Sequence, residues 1–304
     1  MAKKFISTKM KIFMLALFLL SIIFYASGCF ALVQSGYKLS DYSNELNINP
    51  NSFKFDTNLF DFNASYVSRD YNLNDNIKEI TLDLNSQDIN VENYEGQTLK
   101  VQIKSYSSIS GELAETEDGD KLILSTKYDT PSNATITLSI PNSFNDRGTL
   151  KLVTSSGDIK ISNLSLDTLN ISTASGDSQV SNLNLNYLSS SSSSGDSHFS
   201  KVSVANETKL TSSSGELIGN GNFGEVTANT TSGDMNLQFE KSLKNSSLSS
   251  VSGSISLSLP TNSGYKINYE TTSGDLDSSN RKLSSGDESS IININTKSGD
   301  LTIK

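Results

Sequence analysis

The sequence predicts an all-β fold, a parallel β-solenoid with coils of about 19–20 residues, preceded by an N-terminal transmembrane helix or signal segment. Three observations support this prediction. A glycine-centred tripeptide recurs at a nearly constant spacing, apolar residues alternate on both sides of it, and the composition suits short strands and tight turns. The chain has 304 residues with 4 prolines and no tryptophan, whereas serine and asparagine are abundant.

The recurring tripeptide is Ser-Gly-Asp or a close variant of it. Serine stands directly before each glycine, and threonine or serine stands three positions before it. Successive glycines are separated by 19, 19, 20, 18, 20, 21 and 25 residues, so the repeat occupies the second half of the chain. The glycines are Gly157, Gly176, Gly195, Gly215, Gly233, Gly253, Gly274 and Gly299.

Apolar residues alternate with polar ones around these glycines. Leu150 and Leu152 precede the first glycine, and Ile159 and Ile161 follow it. An alternation on both sides of a glycine indicates strand, turn, strand. One unit cannot bury its apolar side alone, whereas stacked units pair each strand with its equivalent one coil away. We therefore expect apolar interior ladders, a hydroxyl ladder beside the turn, and glycines that supply either a positive φ or a close backbone approach.

The same pattern begins in a weaker form near residue 76, with Ile80, Leu82 and Leu84. We therefore predict that the solenoid spans residues 76–304 and that its less regular first third acts as a cap. Residues 35–75 are polar, with scattered aromatic residues and no period, and are predicted to form a spacer. Residues 1–34 are predicted to be the membrane anchor or signal segment.

The N-terminal segment Ile12–Val33 carries no formal charge and follows a stretch with four lysines. At about 1.5 Å per residue it would reach roughly 33 Å, enough to cross a hydrocarbon core. It is interpreted as an uncleaved single-pass anchor, as a lipoprotein signal ending in the lipobox-like Ala26-Ser27-Gly28-Cys29 with a lipidated Cys29, or as a cleaved secretion signal. All three interpretations place the C-terminal body outside the cytoplasm.

Three stretches carry a resemblance to a known family. Residues 138–141 (LSIP) lead into 150–159 (LKLVTSSGDI), residues 257–260 (LSLP) lead into 271–276 (TTSGDL), and the chain ends in 294–303 (INTKSGDLTI). These segments resemble the bacterial putative-adhesin family, a domain of unknown function in envelope proteins that include accessory proteins of the Lia cell-envelope stress system. The resemblance covers roughly residues 76–304. It implies the solenoid architecture and brings no catalytic residues with it.

An aspartate follows most of the glycines, and stacking would place these carboxylates in a row about 5 Å apart, where like charges repel. Bound Ca²⁺ would offset this repulsion, because it prefers hard oxygen ligands. Alternatively, each carboxylate stabilises its own turn and faces solvent, which is the interpretation we favour. Glu216 and Ser254 interrupt the column. Its members are Asp158, Asp177, Asp196, Asp234, Asp275 and Asp300.

Composition argues against several functions. The net charge of −9 argues against nucleic-acid binding, which needs a cationic surface. One cysteine and one histidine cannot supply an internal disulfide or a zinc site of the usual Cys/His type. His198 is the only histidine available as a catalytic base, and the uniform short turns leave little with which to build a glycan-cleaving cleft. We therefore expect no enzymatic activity and no cofactor.

Two functions are consistent with these features. The first is an adhesin-like binding module at the cell surface, in which a rigid rod presents polar faces to a glycan or an envelope protein. The second is an envelope-stress accessory or regulatory protein that acts through membrane partners. Self-association through the C-terminal end of the solenoid is a further expectation, since the strand ending at Ile303 and Lys304 has no evident cap.

Overall fold

The computed structural model describes residues 64–73, 76–107, 109, 113–127, 130–278 and 282–304, together with six helical positions between residues 17 and 27. The chain forms two compact units, Met1–Asp61 and Phe62–Lys304. Among the described residues, no helix is both long and apolar enough to span a membrane. Apart from those six positions, the predicted anchor or signal segment (1–34), Cys29 and the spacer up to residue 63 lie outside the described residues.

The described part of the second unit is built of β-strands, with one short 3-10 helix at Asn142–Phe144. The strands before the first Ser-Gly-Asp turn are β1 (Ser65–Tyr71), β2 (Glu79–Asp83), β3 (Asp88–Tyr94), β4 (Leu99–Ser105), β5 (Ala114–Asp118), β6 (Lys121–Ser125), β7 (Thr135–Pro141) and β8 (Thr149–Thr154). Three long strands follow: β9 (Ile159–Thr173), β10 (Ser178–Ser192) and β11 (Ser197–Ser212).

Shorter strands complete the unit. They are β12 (Leu217–Asn222), β13 (Glu225–Thr230), β14 (Met235–Phe239), β15 (Ser246–Ser250), β16 (Ile255–Ser258), β17 (Tyr265–Thr271), β18 (Leu276–Asp277), β19 (Ser284–Ser285), β20 (Ile291–Thr296) and β21 (Leu301–Ile303).

Most of these strands stack in parallel into two walls. Wall A contains the strands that enter the Ser-Gly-Asp turns, and wall B contains the strands that leave them. The long strands β9, β10 and β11 serve both walls, with their first halves in wall B and their second halves in wall A. Within each long strand the chain bends at a residue with positive φ, at Asn163, Asn182 and Lys201 (58°, 53° and 54°).

The predicted apolar ladders form the core between the walls. In wall A one ladder passes through Leu152, Ile171, Ser190, Leu210, Ala228, Leu248 and Ile294, all buried. In wall B an equivalent ladder passes through Ile161, Val180, Phe199, Gly219, Leu237, Leu257 and Ile303. At Gly219 the missing side chain leaves room for Leu237 and Phe223, which an added Cβ atom would meet at 2.9 Å. The parallel coil architecture predicted from the repeat is therefore present.

The end at which the chain enters is closed by antiparallel strands. The order β1–β4–β7 extends wall B, and β5 pairs with β6 at the edge of wall A. Arg69 on β1 and Glu115 on β5 form an ion pair of 2.7 Å between the two edge strands. β1 lies within the range predicted to be a spacer, so part of that range belongs to the folded unit.

The coils do not follow chain order at either end. The coil β2–β3 lies between β6–β7 and β8–β9. At the other end, β20–β21 lies between β15–β16 and β17–β18. The expectation that β21 ends the stack is therefore wrong. The inserted coil has purely aliphatic inward residues, Ile292, Ile294, Leu301 and Ile303, which are buried, whereas the outermost coil carries the half-buried Tyr269. Self-association at this end stays a prediction.

Candidate functional site

The eight glycines predicted at the turns form one column, with the backbone of Gln87 in the glycine's place in the coil before Gly157. A Cβ atom added to any of them would lie 1.9–2.0 Å from a carbonyl oxygen in the neighbouring coil. None of the eight has a positive φ. Of the two roles considered for these glycines, close backbone approach is therefore the one that the structure supports.

The hydroxyl column lies beside the glycines and caps the turns. The Oγ atoms of Thr154, Thr173, Ser250 and Thr271 accept hydrogen bonds from the glycine N–H three residues later, at 2.8–3.1 Å. The hydroxyls of Ser192, Ser212 and Thr296 instead donate to the glycine carbonyl, at 2.7–2.8 Å. The Thr230 hydroxyl is buried and makes no hydrogen bond. Each hydroxyl that does bond replaces a contact with water that the buried turn has lost.

The aspartate column links neighbouring coils rather than capping single turns. Asp158 Oδ1 accepts a hydrogen bond from the backbone N–H of Asp177, at 3.0 Å, and Asp177 Oδ1 accepts one from Asp196, at 2.9 Å. Three more carboxylates accept in the same way, at 2.7–2.8 Å: Asp196 from the backbone N–H of Glu216, Asp234 from that of Ser254, and Asp300 from that of Asp275. Each bond joins a carboxylate to a backbone donor, which makes it stronger than a neutral hydrogen bond.

The described residues include no group of three or more His, Cys, Asp or Glu side chains arranged to hold a metal ion. In the aspartate column, one oxygen of each accepting carboxylate is already engaged with a backbone amide. These hydrogen bonds to backbone amides are enough to explain why aspartate recurs in the column. The Ca²⁺ alternative stays a prediction.

The outer surface of wall A presents two neighbouring rows of polar side chains. Within each row the residues come from paired positions on successive strands, so they lie about 4.8 Å apart. Every member except Lys209 is serine, threonine or asparagine. We call this surface the hydroxyl–amide face, and it consists of Asn170, Ser172, Ser189, Ser191, Lys209, Thr211, Thr227, Asn229, Ser247 and Ser249.

The hydroxyl–amide face has one exposed aromatic neighbour. Tyr187, on β10, lies two residues before Ser189 and is 44% exposed. At the side nearer β8 a shallow depression is lined by Lys151, Asn170, Ser189 and the ion pair between Lys121 and Glu79. The face is therefore broad and open, with one amphipathic ring next to it.

His198 lies on a different surface, on the outer side of wall B. It is exposed on β11, paired with Gln179 on one side and Ile218 on the other. The interpretation of His198 as a surface residue on a strand agrees with this position.

The hydroxyl–amide face was not among the residues singled out by sequence analysis. Its signal is the alternation of serine, threonine and asparagine within strands such as 187–192 (YLSSSS), where Ser190 and Ser192 face inward and Ser189 and Ser191 face outward. Sequence alone does not show which serines share a face, because the alternation of buried residues shifts twice within β10, at the bend at Asn182 and again between Leu185 and Leu188.

A stack of parallel coils with a structural turn column and an open polar face defines a β-solenoid repeat domain. The chain belongs to the Toastrack DUF4097 family, whose model matches residues 77–304. This match confirms the resemblance to a domain of unknown function, while the relation to Lia-type accessory proteins stays a prediction.

The fold is similar to that of a solved structure. The crystal structure of a putative adhesin from Bacteroides fragilis has 17% identity to this chain and a TM-score of 0.50, covering 79% of this chain and 97% of its own. A putative cell adhesion protein from Clostridium sporogenes has 13% identity and a TM-score of 0.22, covering 80% of this chain and 99% of its own. No curated protein sequence matches the chain.

Proposed function

We propose that this protein is a non-enzymatic binding module of the cell surface and that its hydroxyl–amide face binds an extended, neutral glycan. The observation that carries the proposal is the composition of that face. Across five successive coils, from β9 to β15, its outward positions are serine, threonine or asparagine with Lys209 as the one charge.

The charge of the face favours a neutral ligand. The whole chain carries a net charge of −9. The two rows of the face contain no carboxylate, whereas Glu207, which pairs with Tyr187, and Glu225 lie in the next row. A polyanion would be repelled by the protein as a whole and by these two carboxylates, and a polycation would find no negative charge within the two rows. Sugars offer many hydroxyl groups that can donate to and accept from serine, threonine and asparagine side chains.

The repetition of the face favours an extended ligand rather than a small one. A single hydroxyl–hydroxyl contact contributes little net free energy, because it replaces a contact with water. A polymer that contacts several coils gains from the high effective concentration of each following contact. The parallel pairing of each wall A strand on both sides fixes the spacing of these groups before the ligand arrives, which reduces the ordering cost of binding.

Tyr187 is the residue expected to contribute most. An exposed tyrosine offers a large apolar ring and a polar hydroxyl with few rotatable bonds, and such residues often dominate binding energy. Its position beside Ser189 would let it pack against the apolar side of a sugar ring while neighbouring serines bond the hydroxyl groups.

Localisation belongs to the same proposal. The apolar segment Ile12–Val33, with lysines before it, would hold the folded unit at the outer side of the membrane as an anchor, a lipidated segment or an export signal. The name of the Bacteroides fragilis structure, a putative adhesin, supports a surface role.

The test is a binding assay with the purified chain, kept in mild detergent because of its apolar N-terminal segment. We would incubate it with peptidoglycan sacculi, other insoluble glycans and membrane extracts, and compare Tyr187→Ala with Tyr66→Ala. Tyr66 is also exposed, at 57%, but lies on β1. We expect saturable glycan binding that Tyr187→Ala weakens about tenfold, a loss of about 1.4 kcal/mol, and that Tyr66→Ala leaves unchanged.

Two results would count against the proposal. If no glycan is retained while a specific membrane protein is, the alternative function as an envelope-stress accessory protein gains support. If glycan binding is equal in the two tyrosine variants, the ligand binds elsewhere on the molecule.

A further inference from the structure

The outer side of wall B carries a second polar surface, formed by the outward residues of six neighbouring strands. These are the wall B halves of β9, β10 and β11, followed by β12, β14 and β16. Two rows run along the stack, with the same coil spacing of about 4.8 Å as the rows of wall A. Apart from Lys160, His198 and Ile218, every member is serine, asparagine or glutamine. We call this surface the amide face after its four carboxamides, Gln179, Asn220, Asn236 and Gln238.

The four carboxamides of the amide face are available to a ligand. None of these side chains forms a hydrogen bond with another group in the described part of the chain. Between the two walls, by contrast, amide side chains bond across coils. Asn182 donates to Asn163 Oδ1 at 3.1 Å, and Asn186 donates to an Asp167 carboxylate oxygen at 2.9 Å. A carboxamide offers an acceptor oxygen and two N–H donors, so each free one can form several hydrogen bonds with a ligand.

The charges around the amide face favour a neutral ligand. Its two rows contain no carboxylate, and the aspartate column runs along their border, with Asp177 two residues before Gln179. A polyanion would be repelled by that column. A polycation would find no carboxylate within the face and would meet the exposed Lys160 there. The selection by charge is therefore the same as on the hydroxyl–amide face.

The composition of the amide face favours a glycan over a protein partner. The residues that dominate binding in protein interfaces are most often tryptophan, tyrosine or arginine, and this face has none of them. Its one apolar residue, Ile218, is half-buried. Rows of hydroxyl and amide groups at a fixed spacing suit an extended polymer that carries many hydroxyl or acetamido groups.

The two polar faces point in opposite directions, because the inward residues of wall A and wall B meet in the core between them. A glycan strand that lies along one face is therefore separated from the other face by the thickness of the solenoid. We infer that the amide face binds a second strand of the same class of glycan, so that a single molecule bridges two strands. This inference rests on the proposed function of the hydroxyl–amide face and extends it from attachment to cross-linking.

The amide face should hold its strand more weakly than the hydroxyl–amide face. His198 is its only ring, paired with Gln179 on one side and Ile218 on the other, and none of the exposed tyrosines of the described residues borders it. An exposed tyrosine contributes a large apolar ring, which this face lacks. Retention on an insoluble glycan should therefore still depend mainly on Tyr187, whereas the amide face determines whether a second strand joins.

A two-step binding assay with the full chain in detergent tests the inference, with micelles in large excess so that each carries at most one chain. The chain is first retained on the insoluble glycan that binds it best, beginning with peptidoglycan sacculi. It is then offered fluorescently labelled, soluble strands released from the same material. We expect the retained chain to bind the labelled strands saturably. A Gln179→Ala, His198→Ala double variant, with both changes at exposed positions, should be retained equally well and bind at least tenfold less labelled glycan.

The matched control is an Asn184→Ala, Ser203→Ala double variant. Asn184 and Ser203 are also direct neighbours on β10 and β11, but they lie past the bends, between the two walls. This variant should bind the labelled strands as the unmodified chain does. Retention without labelled glycan, or equal labelled glycan on the two double variants, would overturn the inference and leave the proposed function standing. Failure of the chain to be retained on any glycan would overturn both.

Discussion

At the scale of single residues, the turn column is held by contacts that tolerate almost no change in size. The Cα of Gly195 faces the carbonyl of Gly176, and an added Cβ would lie 2.0 Å from that oxygen. Both atoms belong to backbones whose neighbours are fixed by parallel pairing on either side. The clash could be relieved only by separating two coils, which would stretch the hydrogen bonds of the turn.

We predict that Gly195→Ala lowers the free energy of unfolding by about 3 kcal/mol, because backbone atoms must move apart in a well-packed region. Ser194→Ala is the control, since Ser194 is exposed in the same turn. The measurement is the urea midpoint of the purified chain, followed by far-UV circular dichroism. An unchanged midpoint for Gly195→Ala would contradict the assignment of close approach.

The turn glycines could be predicted from the sequence because every coil requires a residue without a Cβ atom at the same position. Glycine therefore recurs in the sequence at the spacing of the coils. The lateral bonds of the aspartates could not be predicted in this way. The spacing of Asp158 and Asp177 in the sequence is equally compatible with carboxylates that accept hydrogen bonds within their own turns. Only the position of the next coil shows that the Asp158 carboxylate accepts from the backbone N–H of Asp177.

At the scale of elements, the aspartate column contributes one hydrogen bond between successive coils wherever the side chain is aspartate. Asp177 accepts from Asp196, and Asp196 accepts from Glu216. The Glu216 carboxylate makes no corresponding bond to the N–H of Asp234 in the described part of the chain. The longer side chain of glutamate thus interrupts the series, and Asp234 resumes it with Ser254.

We expect Asp177→Ala to lower the free energy of unfolding by about 1 kcal/mol, since it removes one exposed hydrogen bond to the neighbouring coil. Asp177→Asn keeps an oxygen acceptor and should lose less. Glu216→Ala has no lateral bond to lose and should be near neutral. Thermal or urea unfolding of the three variants measures these differences, and a Glu216→Ala effect as large as that of Asp177→Ala would refute the lateral role.

For the Ca²⁺ alternative, we expect the melting temperature of the chain to stay the same when millimolar Ca²⁺ replaces a chelator. The carboxylates already accept backbone hydrogen bonds, and the described residues offer no ligand cluster. Mg²⁺ at the same concentration controls for ionic strength. A rise of several degrees with Ca²⁺ alone would show that the column binds the ion.

The order of elements was beyond prediction for a related reason. The coils β17–β18 and β20–β21 share the same sequence pattern, with Thr271 and Thr296, Gly274 and Gly299 in equivalent places. A repeat shows that coils stack but not which coil is the neighbour of which. The exchange depends on packing quality, since the aliphatic coil is the better interior layer.

At the scale of the whole folded unit, stability depends on interactions between nearest neighbours, as in other repeat proteins. The coils formed by β9, β10 and β11 have a complete coil on each side, whereas β17 and β18 have one on a single side. Local opening should therefore be easiest at the end of the stack formed by β17 and β18.

Hydrogen exchange followed by mass spectrometry should show the slowest exchange in peptides from β10 and β11 and the fastest, among the strands, in β17 and β18. Peptides from β4 and β7, near the end where β1 is the edge strand, serve as an internal comparison, and their exchange rates should be intermediate. Uniform protection along the unit would mean that it opens as one cooperative block instead.

The exchanged order of the last two coils also constrains how the molecule is made. Residues 265–277 leave the ribosome before residues 291–303, yet their place in the stack lies beyond them. When the earlier segment emerges, the only surface available to it is the exposed side of β15–β16, which is the wrong neighbour. Residues 265–277 must therefore stay unpaired, or be displaced from β15–β16, until residues 291–303 pair between them and β15–β16. A chain truncated after residue 290 would therefore lack an internal coil rather than the outermost one. Its last strands would have no neighbouring coil to pair with and would be exposed to cellular proteases.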